Sequence, residues 1–334
     1  MSTGRIAHRD ILIVKDGATT GKVSFVDDRF PFERAAINEH VFRVAIDASQ
    51  ADAKYVFWHL ASPIGQKQIL KDYRGSTVGG IGRTFVEKVA LPLPALQEQR
   101  RIAAILDKAD ALRQKRKRAI ALLDSLTRSV VVETMDATLE ASPLEELTTE
   151  IYRYPTYYGI EYLETGVPEI RGELILDDGS VDHSPEALRY ISEATSRRFP
   201  KTILDQGDLV MSVRGTVGKI GRVPPELAGA NMTANLIRLA PDRSKVVDIY
   251  LWEVMRSERI RAALAKASSS TTIATIKSDD LRALSIPLPS MVAQRTFSEV
   301  RLKLSSCRER LETMLSNSEV LFASLQHRAF SGQL

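Results

Sequence analysis

Apolar positions along the chain fall into two kinds of pattern, and each kind occurs twice. Residues 10–14 and 208–213 are short runs rich in Ile, Leu and Val that lead to a glycine, the pattern of a strand running into a turn. Residues 22–26 and 219–223 follow as return strands, and residues 41–46 and 236–240 as further strands. Residues 53–70 and 247–267 change to helical spacing, marked by Tyr55 and Trp58 in the first and by Tyr250 and Val254 in the second. Loops rich in Ser, Thr and Gly come next, at 75–82 and 268–275. The pattern predicts a mixed α/β (α+β) unit, built twice.

Side-by-side comparison strengthens the repeat. Leu91-Pro92-Leu93-Pro94 matches Ile286-Pro287-Leu288-Pro289, and Gln99-Arg100 matches Gln294-Arg295, at an offset of 195. Tyr55 and Tyr250, Ile37 and Met232, and Arg43 and Arg238 share that offset. Upstream the offset drifts to 197 and 198, as small loop gaps require. There Asp10-Ile11-Leu12-Ile13 meets Asp208-Leu209-Val210-Met211, Gly17 meets Gly215, and Gly21-Lys22 meets Gly218-Lys219. About 65 residues precede Asp208 within the second copy, from about Ser142, whereas nine precede Asp10. The first copy is therefore expected to lack the front third of its unit.

After each Pro-Leu-Pro turn the spacing becomes that of a long helix. Residues 95–135 and 290–331 contain neither Gly nor Pro, and proline suits only the first turn of a helix. Apolar or small residues alternate at spacings of four and three. In the first helix they are Ile105, Ala109, Leu112, Ala119, Leu123, Leu126 and Val130; in the second, Val300, Leu304, Cys307, Leu311, Met314, Leu321 and Leu325. Such a seam held over several heptads predicts a coiled coil between the two helices. Some 40 residues at 1.5 Å each would give a rod of about 60 Å. The expected organisation is 1–94 as a first, partial domain and 95–137 as the first long helix. A second, complete domain follows at 142–289, and the second long helix at 290–331.

Composition narrows the function. The 334 residues are 44% hydrophobic and 26% charged, ordinary for a globular chain of about two domains. The net charge is +4 and the isoelectric point about 9.1, a mild hint of a polyanionic partner. A single cysteine, Cys307, excludes an internal disulfide and a cysteine metal cluster. The five histidines are scattered, so no metal site is expected. No stretch is long and apolar enough to span a membrane and no signal region opens the chain, which predicts a cytoplasmic protein with no membrane contact.

Candidate chemistry lies in the loops. Gly17-Ala18-Thr19-Thr20-Gly21-Lys22 has three residues between its glycines rather than four, and Val23 follows the lysine where a phosphate-binding loop needs Ser or Thr. A tight turn between strands explains the glycines better. Lys15, Lys22, Arg214 and Lys219 then stand beside the repeated turn, where cations and backbone amides can meet a phosphate; solvated loop charge is an equal reading. The paired polar loops add Arg83 in the first copy and Ser269, Thr271 and Lys277 in the second, side chains suited to phosphate and base-edge contacts but also common in flexible loops. The basic run 113–118 on the first helix reads as a solvated face. No Gly-x-Ser-x-Gly, His-Glu-x-x-His or Gly-x-Gly-x-x-Gly motif occurs, and no acidic pair forms a recognisable acid/base set.

Three segments together resemble the DNA specificity subunits of type I restriction-modification systems. They are residues 10–22, the stretch Leu91-Pro92-Leu93-Pro94-Ala95-Leu96-Gln97-Glu98-Gln99-Arg100-Arg101-Ile102, and Phe330-Ser331-Gly332-Gln333-Leu334. The resemblance implies two target-recognition domains in tandem, each reading one half of a split site in double-stranded DNA. It implies an antiparallel helix pair holding them apart, with Ile105, Leu112, Leu123, Leu126, Val300, Leu304, Leu311 and Leu325 on the pairing seam. It implies a chain with no catalysis and no cofactor of its own. Its partners are then adenine methyltransferase (M) subunits, which use S-adenosylmethionine, and a restriction (R) subunit, which uses ATP and Mg²⁺. The first recognition domain, N-terminally shortened, is where the chain departs from the family. Two other readings stay open: a coiled-coil scaffold that binds the methyltransferase without reading DNA, and an unrecognised nuclease or nucleotide hydrolase.

Overall fold

The computed structural model describes residues 4–75, 79–153, 160–213, 218–267 and 278–334. They form two compact units: Met1–Ala121 with Glu309–Leu334, and Leu122–Arg308. The cut falls inside both long helices, so each unit is a globular part plus a stretch of each helix.

Unit 1 opens with β1 (Ile11–Val14), β2 (Val23–Phe25) and β3 (Val41–Val44), an antiparallel sheet in the order β2-β1-β3. Two helices follow, α1 (Ala53–Ala61) and α2 (Pro63–Ile69), then a small hairpin of β4 (Tyr73–Arg74) and β5 (Gly80–Ile81). The single helix expected over 53–70 is thus two. Pro63 lacks the N–H a continuing helix needs and pushes Ser62 to extended backbone (φ −74°, ψ 159°), where its hydroxyl caps α2 through the Gly65 amide. Gly65 is obligatory at this corner, because a β-carbon there would lie 2.1 Å from the His59 carbonyl oxygen. The core joins Ile11, Ile13, Val56, Leu60, Ile69, Ile81 and Phe85. The long helix α3 (Leu96–Asp136) begins after the Pro-Leu-Pro turn.

Unit 2 adds β6 (Ala141–Pro143), β7 (Thr148–Arg153), β8 (Val167–Ile170), β9 (Arg189–Ile191), α4 (Glu193–Arg198), β10 (Leu209–Ser212), β11 (Ile220–Arg222), β12 (Asn231–Met232) and β13 (Leu236–Pro241). Then come α5 (Asp248–Arg256), α6 (Glu258–Ala267), α7 (Ser278–Arg282), β14 (Ser285–Pro287) and the second long helix α8 (Met291–Phe330). Its main sheet runs β11-β10-β13-β7, a second sheet β12-β8-β9, and β14 pairs with β6.

The repeat holds down to strand register. Ile11 sits opposite Phe25 and Val44, and Leu209 opposite Arg222 and Leu239, the same offsets that align the sequence. Each unit also anchors its long helix in one way. The buried Tyr55 hydroxyl donates to the Pro92 carbonyl at 2.9 Å, and Tyr250 to the Pro287 carbonyl at 2.8 Å. Gln99 accepts from the Asp52 amide (2.8 Å) and donates to the Pro94 carbonyl (2.8 Å); Gln294 does the same with Val247 (2.9 Å) and Pro289 (2.8 Å). These side chains satisfy backbone groups that a helix start would otherwise bury unpaired, which is why a glutamine follows each Pro-Leu-Pro.

Within unit 1 the two long helices run in opposite directions. Arg113 stacks on the Phe322 ring at 4.2 Å, while Arg116 donates to the Ser318 hydroxyl and the Met314 carbonyl. Ile102, Ala103 and Leu106 join Trp58, Phe322, Ala329 and Phe330 in one buried cluster. In unit 2, Val131 and Met135 of α3 and Phe297 of α8 enter the core, and Arg308 meets Asp124.

The buried face overlaps the expected seam only in part. Leu112, Leu126 and Val300 are 43%, 48% and 37% exposed, and Ile105, Leu123, Leu304, Leu311 and Leu325 are half-buried. The reason is that Arg113 and Arg116 take places in the contact, with aliphatic stems that pack and guanidinium heads that find Phe322 and Ser318. A pattern read from apolar residues alone skips those positions.

Candidate nucleic-acid interface

In unit 1 three loops meet at one end of the β2-β1-β3 sheet. The β1–β2 turn is held by Gly17 and Gly21, both at positive φ (91° and 85°), with the Gly21 amide donating to the Val14 carbonyl at 2.8 Å. Residue 16 of this turn bridges to Gly80 of β5, and the Ile81 amide donates to the Lys15 carbonyl at 2.8 Å. Gly80 must be glycine, since a β-carbon would come within 2.9 Å of the Lys15 carbonyl oxygen and of the Asp16 β-carbon. The third loop contributes His40, whose Nδ1 lies 2.6 Å from the Asp16 carboxylate.

This crossing brings the β1–β2 turn, with Lys15 and Lys22, against the β4–β5 hairpin that leads into Arg83; Lys22 and Arg83 are exposed and Lys15 half-buried. The hairpin's own shape depends on the buried Asp72. Its carboxylate accepts from the Gly82 amide (2.9 Å) and the Thr84 hydroxyl (3.1 Å) and pairs with Arg74 (3.3 Å). Burial alone would raise its pKa, but these donors and the Arg74 charge hold it below the usual carboxylate range, so it stays ionised. Two side chains missed in the sequence belong here, the exposed Tyr73 and Arg74. Their aromatic-basic pair immediately before Gly75 was the available signal.

In unit 2 the equivalent turn keeps Gly218 at φ 85°, and its amide donates to Ser212 at 2.8 Å. Lys219 does not project freely. Its ammonium lies 2.6 Å from the Asp177 carboxylate and 3.4 Å from the Ile175 carbonyl, and this contact lowers the Asp177 pKa. Arg214, Ser269, Thr271 and Lys277 lie outside the described residues. Beside the main sheet, Arg189 stacks on the Tyr162 ring at 5.4 Å, over the buried Glu169 of β8. Burial raises the Glu169 pKa in spite of its hydrogen bond to Tyr162 and the nearby charges of Arg171 and Arg189.

The site thus offers cations, amides and an aromatic ring on crossed turns, the equipment of backbone and base-edge contact. Comparison with known proteins agrees. Residues 3–122 match the family model described as the type I restriction modification DNA specificity domain. The specificity subunit of the type I restriction enzyme EcoBI from Escherichia coli is 22% identical over 90% of this chain and 70% of its own. That of MjaVIII from Methanocaldococcus jannaschii is 21% identical over 89% of this chain and 72% of its own.

The chain is similar to type I specificity subunits, and the family's DNA specificity domain is matched within residues 3–122.

The fold agrees as well. The crystal structure of the type I S subunit from M. genitalium has a TM-score of 0.63, at 14% identity, covering 99% of this chain and 85% of the other. A chain from a structural study of assembly and conformational transition in the type I system has a TM-score of 0.58, at 16% identity, covering 100% and 85%. No helix among the described residues is long and apolar enough to cross a membrane.

Proposed function

We propose that the chain reads a bipartite target in double-stranded DNA for a type I restriction-modification complex, one half-site with each repeated unit. The observation that supports this reading is the repeat itself: the same strand register, the same Tyr and Gln anchors and a positive-φ glycine at Gly21 and its counterpart Gly218 occur in both units. Unit 1 would contact DNA through Lys15, Lys22, Arg74 and Arg83, and unit 2 through Arg214, Ser269, Thr271 and Lys277. The anchored helices would fix the spacing of the two readers. On this reading the chain performs no bond chemistry and works in the cytoplasm. Methylation at adenine belongs to partner M subunits with S-adenosylmethionine, and cleavage to an R subunit with ATP and Mg²⁺.

The test is binding of the chain, assembled with its methyltransferase subunits, to a pool of random duplexes at several salt concentrations. Enrichment of a split sequence is expected. Binding without sequence preference at every salt concentration would overturn the reading. The alternative of a scaffold that does not read DNA draws on the Lys219–Asp177 pair, which takes one expected DNA contact out of play. It predicts a stable complex with the methyltransferase that protects no site.

A further inference from the structure

The second sheet of unit 2, β12-β8-β9, has two unlike faces. Ile170 of β8 and Met232 of β12 point to one face and are buried in a core with Leu174, Val210 and Leu236. On the other face the register sets Asn231 beside Glu169 and Glu169 beside Arg189, so three polar side chains stand in one row across the strands. Glu169 and Asn231 are almost wholly buried, yet Glu169 Oε2 and Asn231 Oδ1 accept no hydrogen bond from a described residue. Asn231 is fixed by its other end, where Nδ2 donates to the Thr202 hydroxyl at 2.7 Å. Burying two such groups costs free energy that apolar side chains would not. Departures of this kind from the pattern of a closed core collect at functional sites.

The row holds a ring and a cation. Tyr162 hydrogen-bonds to the Glu169 carboxyl, and the Arg189 guanidinium lies 5.4 Å from the centre of the Tyr162 ring. The Leu163 amide donates to the Tyr190 carbonyl at 2.9 Å, which ties the chain next to Tyr162 onto β9. Tyr162 and Arg189 are both exposed. Neighbouring cations are committed to carboxylates: Arg171 to Glu173, Arg197 to Glu193, Lys201 to Glu150 and Lys219 to Asp177. Arg189 has no carboxylate at ion-pair distance among the described residues. Burial raises the pKa of Glu169 beneath it, which works against a full opposing charge there.

A cation on a free stem suits a phosphate, which accepts charge from many directions. A guanidinium already held over a ring suits a base edge. Less side-chain freedom is lost on binding, and its fork of N–H donors matches the paired acceptors O6 and N7 that guanine presents in the major groove.

We propose that Arg189, held over Tyr162 by the Glu169–Asn231 row, is a base-reading residue of unit 2 and takes a guanine in the major groove of its half-site. Tyr162 and Glu169 are then positioning residues. The inference rests on the reading that the chain binds a split DNA sequence, and adds to it one side chain and one base.

The experiment selects duplexes from a random pool with the full chain assembled with its methyltransferase subunits. The native protein is compared with Arg189→Lys, Arg189→Ala and Tyr162→Ala. A split site with a guanine at one position is expected for the native protein, and replacing that guanine should weaken binding about 5- to 150-fold. Both Arg189 variants should lose the preference at that position and keep every other position of both half-sites. Arg189→Lys should do so with the slope of log affinity against log salt unchanged, since the charge stays and the fork goes. Tyr162→Ala should weaken the same preference, also at an unchanged slope. A native complex that selects no sequence overturns the DNA reading and this inference with it. A native complex that selects a split site, while the Arg189 variants keep all its preferences or lose one for a base other than guanine, overturns this inference alone. So does uniform weakening of Arg189→Ala on every duplex with a lower slope, which would make Arg189 a phosphate contact.

Discussion

Gln294 and Glu169 are both buried polar residues, and they carry opposite consequences. Gln294 satisfies the Val247 amide and the Pro289 carbonyl at once, on two different segments. Gln294→Ala leaves both groups buried without a partner and is expected to destabilise unit 2 by about 2–4 kcal/mol, while Tyr250→Phe, which strands one carbonyl, costs about 1–3 kcal/mol. Because the two share the start of α8, their double variant should cost less than the sum, as denaturant melts of all four proteins would show. Glu169 is less well served. Its Oε2 and the Oδ1 of Asn231, its neighbour across the β8–β12 pair, are buried acceptors with no protein donor among the described residues. A proton on Glu169 supplies a donor, in keeping with its raised pKa. A carboxyl with a pKa higher folded than unfolded contributes stability that is full below its unfolded value, near 4.5, and lost as pH rises through the folded value. Glu169→Gln keeps the shape without the charge. Its melting temperature should therefore gain on that of the native protein as pH is raised from 5 to 8, and a constant difference would show that Glu169 does not titrate there.

At the scale of elements, the long helices test which face is buried. Leu106→Ala removes side-chain atoms from the fully buried Trp58–Phe322–Phe330 cluster and is expected to cost about 2–5 kcal/mol. Leu112→Ala, on the exposed side, should change stability by no more than about 0.5 kcal/mol. A seam through Leu112 would reverse that order, and thermal melts of the two variants decide. The strands at 10–14, 22–26 and 41–46, their counterparts at 208–213, 219–223 and 236–240, and both helix starts were legible in the sequence, because β-branched runs, glycine turns and Pro-Leu-Pro are local signals. The order of strand pairing and the remaining strands were not, and the helix face was legible only in part. Arg113, Arg116 and Ser318 fill the contact by stem packing and hydrogen bonding, which periodicity of apolar residues does not register. The same limit hid the fate of Lys219, since Asp177 lies 42 residues away in sequence and reaches it only through the fold. Arg74 and Tyr73 were missed for a related reason, their place being set by the buried Asp72, a long-range organiser of the hairpin.

For the whole molecule, the charge on the crossed turns of unit 1 sets a measurable property of DNA binding. Each cation that neutralises a phosphate releases about 0.9 of a counterion, so the slope of log affinity against log salt counts such contacts. Lys22 and Arg83 are exposed at loops braced by the Asp16–Gly80 bridge, and Lys15 has only a loose pairing to Asp16 at 3.7 Å. Their simultaneous change to Ala should weaken the assembled complex on every duplex alike and reduce the slope by about 2–3. Lys219→Ala provides the contrast. Its charge is already held by Asp177 at 2.6 Å, so the slope should fall by well under one unit. Filter binding across a salt series measures both. A slope that falls as much for Lys219→Ala as for a unit 1 lysine would mean that the Asp177 pair opens on DNA. An unchanged slope for the triple variant would move the phosphate contacts away from this end of the β2-β1-β3 sheet.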